Sequence, residues 1–252
     1  MNSDDETEHA GTARRRPTHR KGRATLTRES VGRAALDFLG RRGPAELTMR
    51  LLATDLGVSP RALYNYVEDR RDLITLAAEL FESDWQPPEL SAAQDRWRES
   101  LRAFCRNLRA HYRRHPGMTT LALSENITMA RHPVMLRNVD ALIGFFVEVG
   151  LPLEDAYHAC METIRHVVGF VELQDVLYDR PPAHLDPTDL ERLPPSWLHP
   201  EADADAGLDP HVELPHLSRL GGLKPPSPDA QFEFSLTLLT EGIAAHAAAV
   251  RR

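Results

Sequence analysis

The sequence predicts an all-α fold, and three observations carry that prediction. Apolar residues recur at helical spacing wherever the chain has a pattern, no stretch of useful length alternates as a half-buried strand would, and Ser, Thr and Asp stand where helix N-caps belong. At 252 residues the chain is long enough to bury two modest cores.

The elements follow in order. Residues 1–24 begin acidic and turn basic without apolar periodicity, which predicts a disordered tail. Thr27 caps a first helix, with Leu26 and Val31 as a hydrophobic staple; Val31, Ala34, Ala35, Phe38 and Leu39 form one stripe, and "GRRGP" ends it. Thr48 caps a second helix, stapled by Leu47 and Leu52 and running to Leu56. Ser59 caps a third, with Pro60 at N1 where its missing N–H is harmless, and Asp69 caps a fourth carrying Leu73, Leu76, Ala77 and Leu80. Further on the helices lengthen. Trp97, Leu101, Phe104, Leu108 and Tyr112 share a face that "RHPG" stops. Leu136, Val139, Leu142, Ile143 and Phe146 mark the next, ended by Gly150, and a long one runs from about Leu153 to Leu177. Residues 180–227, rich in Pro, Asp and Gly, read as a long mobile loop before a last helix from Ser227-Pro228 with Phe232, Leu236, Leu239 and Ile243. The expected organisation is a tail over 1–24, a DNA-binding domain over 25–81 and a larger helical domain over 90–252 that contains the Pro-rich loop.

The DNA-binding expectation rests on Leu47 to Leu73, "LTMRLLATDLGVSPRALYNYVEDRRDL". Two helices that cross steeply through a tight turn need a small residue at their closest approach, a turn residue tolerant of positive φ, and apolar residues in the corner. Ala53, Gly57, Val58 and Leu63 supply these in order, so the helix from Pro60 is the candidate recognition helix. Such a helix enters the major groove by its N-terminal end, where Pro60, Arg61 and Ala62 lie. Arg61 is placed to meet base edges, and Tyr64, Asn65 and Tyr66 to reach phosphates or bases. Thr48, Arg50 and Arg70 support them near the starts of the flanking helices, where free N–H groups favour a phosphate.

Charge agrees. From Ala13 to Thr75 there are 14 Lys/Arg against 7 Asp/Glu, a surplus of seven that leaves the remainder at −14 in a chain of net charge −7. One basic segment in an acidic protein suits a polyanion-binding module joined to a body that does not bind polyanions. Arg14, Arg15, Arg16, Arg20, Lys21 and Arg23 of the tail are expected to add sequence-independent affinity. No run reaches the length of a membrane span and no apolar leader precedes the charged N-terminus, so a cytoplasmic location and no membrane partner are expected. Cys105 and Cys160 lack metal-site spacing and read as small buried hydrophobes.

These residues also carry a family resemblance. "ESVGRAALDFLGRRG" followed by "LTMRLLATDLGVSPRALYNYVEDRRDLI" resembles the TetR family of bacterial repressors over residues 26–81. In that resemblance Tyr64 matches the family tyrosine, Val67 the hydrophobic position after it, and Arg70 a position usually held by lysine. "GLPLEDAYHACMETIRHVVGFVELQ" is similar to the ligand-binding domain of the tetracycline-repressor branch. Leu121 falls where that branch keeps a metal-binding histidine, and Glu172 stands one position from its glutamate, so tetracycline is not the expected ligand. The resemblance implies a homodimer on a palindromic double-stranded operator, released by a small-molecule effector.

In the body, His158, Glu162 and His166 at i, i+4 and i+8 share one helix face, which lines a polar ligand pocket, holds a metal, or is a solvent-facing stripe or a set of polar contacts in a dimer interface. The candidate ligand residues are Phe104, Leu121, His158, Met161, Glu162, His166, Phe170 and Gln174; no cofactor or structural metal is expected. Val168, Val171, Leu236, Leu239 and Ile243 are the candidate dimer interface, in a four-helix arrangement of the long helix and the last helix with their symmetry mates. His111 and His115, near a helix end, read as cationic capping residues. The rival readings are a metal-dependent helical enzyme built on His158, Glu162 and His166, and a non-specific architectural DNA-binding protein.

Overall fold

The computed structural model describes residues 26–127, 132–181, 183, 190, 215–220 and 223–251. The basic tail and most of the Pro-rich loop, on which two expectations fall, lie outside the described residues. Everything regular among the described residues is helical.

Helix α1 (Arg28–Arg42) starts at Thr27, whose hydroxyl accepts from the Ser30 N–H while Ser30 Oγ accepts from the Thr27 N–H. That reciprocal pair satisfies two of the helix's unpaired amides. Gly43 ends it at φ 81°, and a 3₁₀ turn at Pro44–Glu46 leads to α2 (Met49–Asp55), capped by the Thr48 hydroxyl on the Leu51 N–H. Helix α3 (Pro60–Leu63) is a single turn whose Ser59 makes no side-chain cap, although Pro60 stands at its first position as expected. Helix α4 (Arg70–Asp84) is capped by Asp69 on the Asp72 N–H.

Helices α1 and α4 pack so closely that a Cβ on Gly32 would lie 2.6 Å from Leu76 Cγ, which explains a glycine inside a helix at the expense of propensity. Around this contact Val31, Phe38, Leu39, Leu52, Leu63, Leu73 and Ile74 are fully enclosed. The corner itself is made by Gly57 at φ 64°, a left-handed turn that any side chain would strain.

The body consists of α5 (Trp97–Arg114), α6 (Met118–Ser124), α7 (Pro133–Val149), α8 (Leu153–Phe170), a π turn at Val171–Asp175, α9 (Val176–Asp179) and α10 (Pro228–Val250). Two differences from expectation stand out. Helix α6 had no sequence signal of its own, and its Met118, Leu121 and Ala122, with Ile127 after it, belong to the same core as α1–α4. The apolar core of the N-terminal module therefore does not stop at residue 81. The long helix does reach past Leu177, but through a π turn. Its buried positions, Ala156, Cys160, Thr163, Val167, Val171 and Asp175, run at four-residue spacing at the end, which a wider π turn keeps on one face.

At that π turn Asp175 accepts from Arg109 Nε and Nη2 at 2.8 and 2.6 Å, fully buried. The guanidinium lies against the rings of Phe170 and Phe232, 5.1 and 4.5 Å from their centres, and so ties α5, α8 and α10 together. Both cysteines are buried, and none of the described helices is long and apolar enough to cross a membrane.

Candidate DNA-binding surface and ligand cavity

The geometry of α2 and α3 leaves one outward face. Thr48, Arg50, Pro60, Arg61 and Asn65 are exposed and Tyr64 keeps 54% of its surface, while Leu52, Ala53, Leu63 and Val67 anchor the turn from beneath. Ala62 is half-buried. Tyr66 is also half-buried, packed on the core, and its carbonyl accepts from Arg28 Nη1 at 2.6 Å. Tyr66 is thus as much a support as a reader.

Ion pairing sorts the basic residues of the module. Arg28 binds Asp72 through two hydrogen bonds at 2.9 and 2.6 Å, Arg41 binds Asp55 at 2.6 Å, and Arg33 binds Asp84. Each of these carboxylates holds its arginine against the module, and these bonds, opposed by burial, keep the Asp55 and Asp72 carboxyls below the ordinary carboxylate range. Arg50 and Arg61 form no ion pair among the described residues, and both lie on the outward face.

Arg70 differs from expectation. Its Nε donates to the Leu47 carbonyl at 2.9 Å and its Nη1 meets Glu125 at the end of α6. The side chain therefore joins the start of α4 to the body and does not stand free beside Arg61. Arg71, next to it, donates to the Asn126 carbonyl at 3.1 Å.

In the body, two adjoining cavities lie between α4, α5, α6, α7 and α8. The first encloses about 460 Å³ including its mouth, walled by Phe81, Trp85, Phe104 and Tyr112, with Glu82, His111 and Asn138 as its polar groups. The second, about 700 Å³ on the same measure, lies toward α6 and shares Phe81, Glu82, Tyr112, Met135 and Ile164 with the first. Glu82 meets no cationic group or donor among the described residues, and burial lifts its carboxyl to about 7. His111 is only 3% exposed. Burial, then the nearby Arg114 and His115, push its pKa down to about 4, so it is neutral and cannot be the cationic cap expected from sequence. His115 is likewise lowered by burial, and its Nδ1 donates to the Leu36 carbonyl of α1 at 3.1 Å.

Of the sequence-predicted ligand residues, Phe104 lines the first cavity, and the others lie elsewhere. Leu121 is packed in the N-terminal core. His158 and Glu162 face solvent, with Glu162 paired to Arg165 at 2.9 Å. His166 Nε2 lies 2.8 Å from Ser235 Oγ, against α10. Met161 and Phe170 pack on the second core, and Gln174 sits half-buried in the π turn. The spacing that put His158, Glu162 and His166 on one face was right, but that face turns away from the cavity. Among the described residues no group of three or more His, Cys, Asp or Glu side chains could hold a metal ion. Glu172, one position from the branch's glutamate, accepts from the Gly117 N–H at 2.7 Å.

The dimer candidates divide similarly. Val171, Leu236 and Ile243 are buried within the chain's own core, Leu239 is half-buried against it, and Val168 lines the second cavity. These side chains are not available to a partner as expected, because the buried face of α10 is the one that covers α5 and α8. The opposite face of α10 carries Phe234 at 66% and Leu238 at 61% exposure, followed by Gly242, where an added Cβ would meet open space. Gly169 is open in the same way, and Leu173 is 76% exposed.

Sequence reasoning missed Phe81, Glu82, Trp85, His111 and Tyr112 as cavity residues. The signal that was available is "FESDW" at the end of α4, where a helix that had buried only apolar residues places a carboxylate one step after Phe81.

Comparison with known proteins agrees with this architecture. Residues 89–247 match the family model described as the tetracyclin repressor-like C-terminal domain. The tetracycline repressor protein class A from transposon 1721 of Escherichia coli is 30% identical over 228 residues, 90% of this chain and 94% of that protein. The HTH-type transcriptional repressor DrrR1 of Streptomyces coeruleorubidus is 28% identical over 160 residues, which cover 64% of this chain and 57% of that repressor's length. Among solved structures, a possible TetR family transcriptional regulator from Streptomyces coelicolor A3(2) superposes with a TM-score of 0.62 at 30% identity, over 86% of this chain and 98% of that one.

Proposed function

The chain belongs to the TetR family of transcriptional regulators, and from that premise we propose that it is a homodimeric, sequence-specific DNA-binding repressor, acting in the cytoplasm and released from a palindromic operator by a small molecule. The observation that carries this reading is the outward face of α2 and α3, where Arg50 and Arg61 stand clear of ion pairs beside Tyr64 and Asn65 while Arg28, Arg33, Arg41 and Arg70 are bound to carboxylates. Arg61 would read a base edge in the major groove, with guanine its best partner. Tyr64 and Asn65 would contact phosphates or bases, and Thr48, Arg50, Pro60 and Ala62 would shape and support the contact. We assign the DNA-binding domain to residues 25–81 and ligand binding with dimerisation to 90–252, with α6 supporting both.

Release follows from a shared element. Helix α4 begins at Arg70, beside the recognition turn, and carries Phe81 and Glu82 of the cavity wall in its last turn. A ligand that fits the cavity better in one position of α4 shifts the pair of recognition helices away from the spacing, roughly 34 Å, that two half-sites one helical turn apart require.

The test is selection of fragments of the source genome by the full chain at about 0.15 M salt, comparing wild type with Arg61→Ala. A palindrome enriched by wild type and blurred at one position in the variant, a discrimination loss of about 1–3 kcal/mol, is the expected result. Uniform binding that ignores sequence and survives Arg61→Ala would instead make the protein an architectural DNA binder.

A further inference from the structure

The wall shared by the two cavities carries a carboxylate with no counter-charge. Glu82 projects from the last turns of α4 among Phe81, Trp85, Phe104 and Tyr112. The arginines of α5 on the neighbouring faces are engaged elsewhere: Arg106 with Glu233 and Glu99, Arg109 with Asp175, and Arg113 with Asp179. Arg114 approaches His111 Nδ1 at 3.4 Å. Because a guanidinium can only donate, that nitrogen accepts and the His111 proton sits on Nε2, which is buried without a hydrogen-bond partner. Asn138 Nδ2, on α7, is likewise enclosed and unpaired. A buried polar group without a partner is costly, and two of them beside a half-buried carboxylate without a counter-charge mark a place where a ligand completes the bonding.

The walls say what the ligand presents. Trp85 is held by its Nε1–H on Asn107 Oδ1 at 2.7 Å and stands edge-on to Phe104, ring centres 5.5 Å apart. Aromatic faces around a lone carboxylate suit a delocalised or alkylated cation, which gains from both the charge and the ring quadrupoles. We propose that the cavity takes a flat aromatic ligand bearing an organic cation, with Glu82 as its counter-charge and with His111 Nε2 and Asn138 Nδ2 donating to an oxygen on its ring system. This proposal rests on the ligand-release reading above.

Its signature is pH dependence. The titratable groups on this wall are Glu82 from α4 and His111 and Tyr112 from α5; α6, α7 and α8 present Thr119, Asn138 and apolar side chains. His115 and Glu172, farther out, are occupied by the Leu36 carbonyl and the Gly117 N–H. Burial places the Glu82 carboxyl near pH 7, holds His111 neutral down to about 4 and raises Tyr112, so between pH 6 and 8 only Glu82 changes charge on this wall.

The experiment titrates the full chain with N-methylacridinium, a planar cation whose charge does not vary with pH, and with the anion anilinonaphthalene sulfonate. Binding of the cation is expected to tighten by about tenfold from pH 6 to 8, as the ionised fraction of Glu82 rises, and binding of the anion to weaken over the same range. Glu82→Gln should flatten both profiles and weaken the cation about tenfold at pH 8. A flat wild-type profile for the cation overturns the proposal without reference to any variant, and so does an unchanged cation affinity in Glu82→Gln. Selection of genomic fragments by the wild-type chain is read in parallel. A palindrome enriched together with a flat cation profile removes the ligand class and leaves the regulator standing; a rising, Glu82-dependent profile without enriched DNA supports the ligand class and removes the regulator.

Discussion

Glu82 and His111 impose opposite pH dependences on folding. The folded chain keeps the Glu82 proton up to about 7, whereas an unfolded carboxyl releases it near 4.5, so this group lowers stability as pH rises through that window. His111 takes a proton near 6.5 when unfolded and only near 4 when folded, so it raises stability as pH rises from 4 to 6.5. The two largely cancel in mildly acid solution, and the Glu82 penalty alone persists above neutrality. Glu82→Gln is therefore expected to stabilise the empty protein by as much as ~3 kcal/mol at pH 8, with little effect at pH 4.5, as read by urea denaturation at the two pH values. An equal gain at both would mean that the side chain is hydrated and its charge is not what burial penalises. Sequence made Arg61 and Tyr64 legible because caps and turn residues fix their direction locally. Glu82 was legible only as a carboxylate one step after Phe81, since its charge becomes unusual only once α5, α7 and α8 close around it.

At the scale of the element, α8 and its π turn depend on a buried ion pair. Asp175 belongs to a stretch that the sequence read correctly as one long helix, yet its carboxylate is there to meet Arg109 against Phe170 and Phe232. Removing one partner leaves a charge among aromatic rings, held only by the exposed Asp229 at 2.9 Å. Asp175→Ala should cost about 3 kcal/mol or more, seen as a lower denaturant midpoint with unchanged slope. A loss below about 1 kcal/mol would show that Asp229 alone suffices. Helix α6 is the element that sequence missed: seven residues, begun by Gly117 without a side-chain cap, are too short for a periodic signal, and its apolar side chains are enclosed by α1 and α4, far away in the chain.

At the scale of the whole molecule, the DNA-binding module is fastened to the body at several points. Arg180, at the end of α9, donates to the Leu39 and Gly40 carbonyls at the C-terminal end of α1, His115 donates to the Leu36 carbonyl, and Arg70 meets Glu125. Helix α4 runs from this seam to the cavity wall, and the proposed release acts through it. The surface we propose for self-association is the exposed side of α10 with Phe234, Leu238 and Gly242, together with Gly169 and Leu173 of the long helix. Leu238→Glu should weaken self-association by on the order of a hundredfold or more, since two-fold symmetry buries the charge twice, while leaving the helical signal intact. Sedimentation velocity reads the outcome. A Leu238→Glu chain that still sediments as a dimer would move the interface to another face.

The sequence by itself determined the helical class, the positions of the caps, the turn at Gly57 and the outward direction of Arg61, because each of these is decided within a few residues of backbone hydrogen bonding. It also determined that His158, Glu162 and His166 share one face. Only the tertiary structure decided that this face looks away from the cavity, that Arg70 turns inward to Glu125, that Leu236 and Ile243 belong to the chain's own core, and that Glu82 stands without a counter-charge. Each of those depends on which distant helix packs against a given face, and helical periodicity fixes the faces without naming their neighbours.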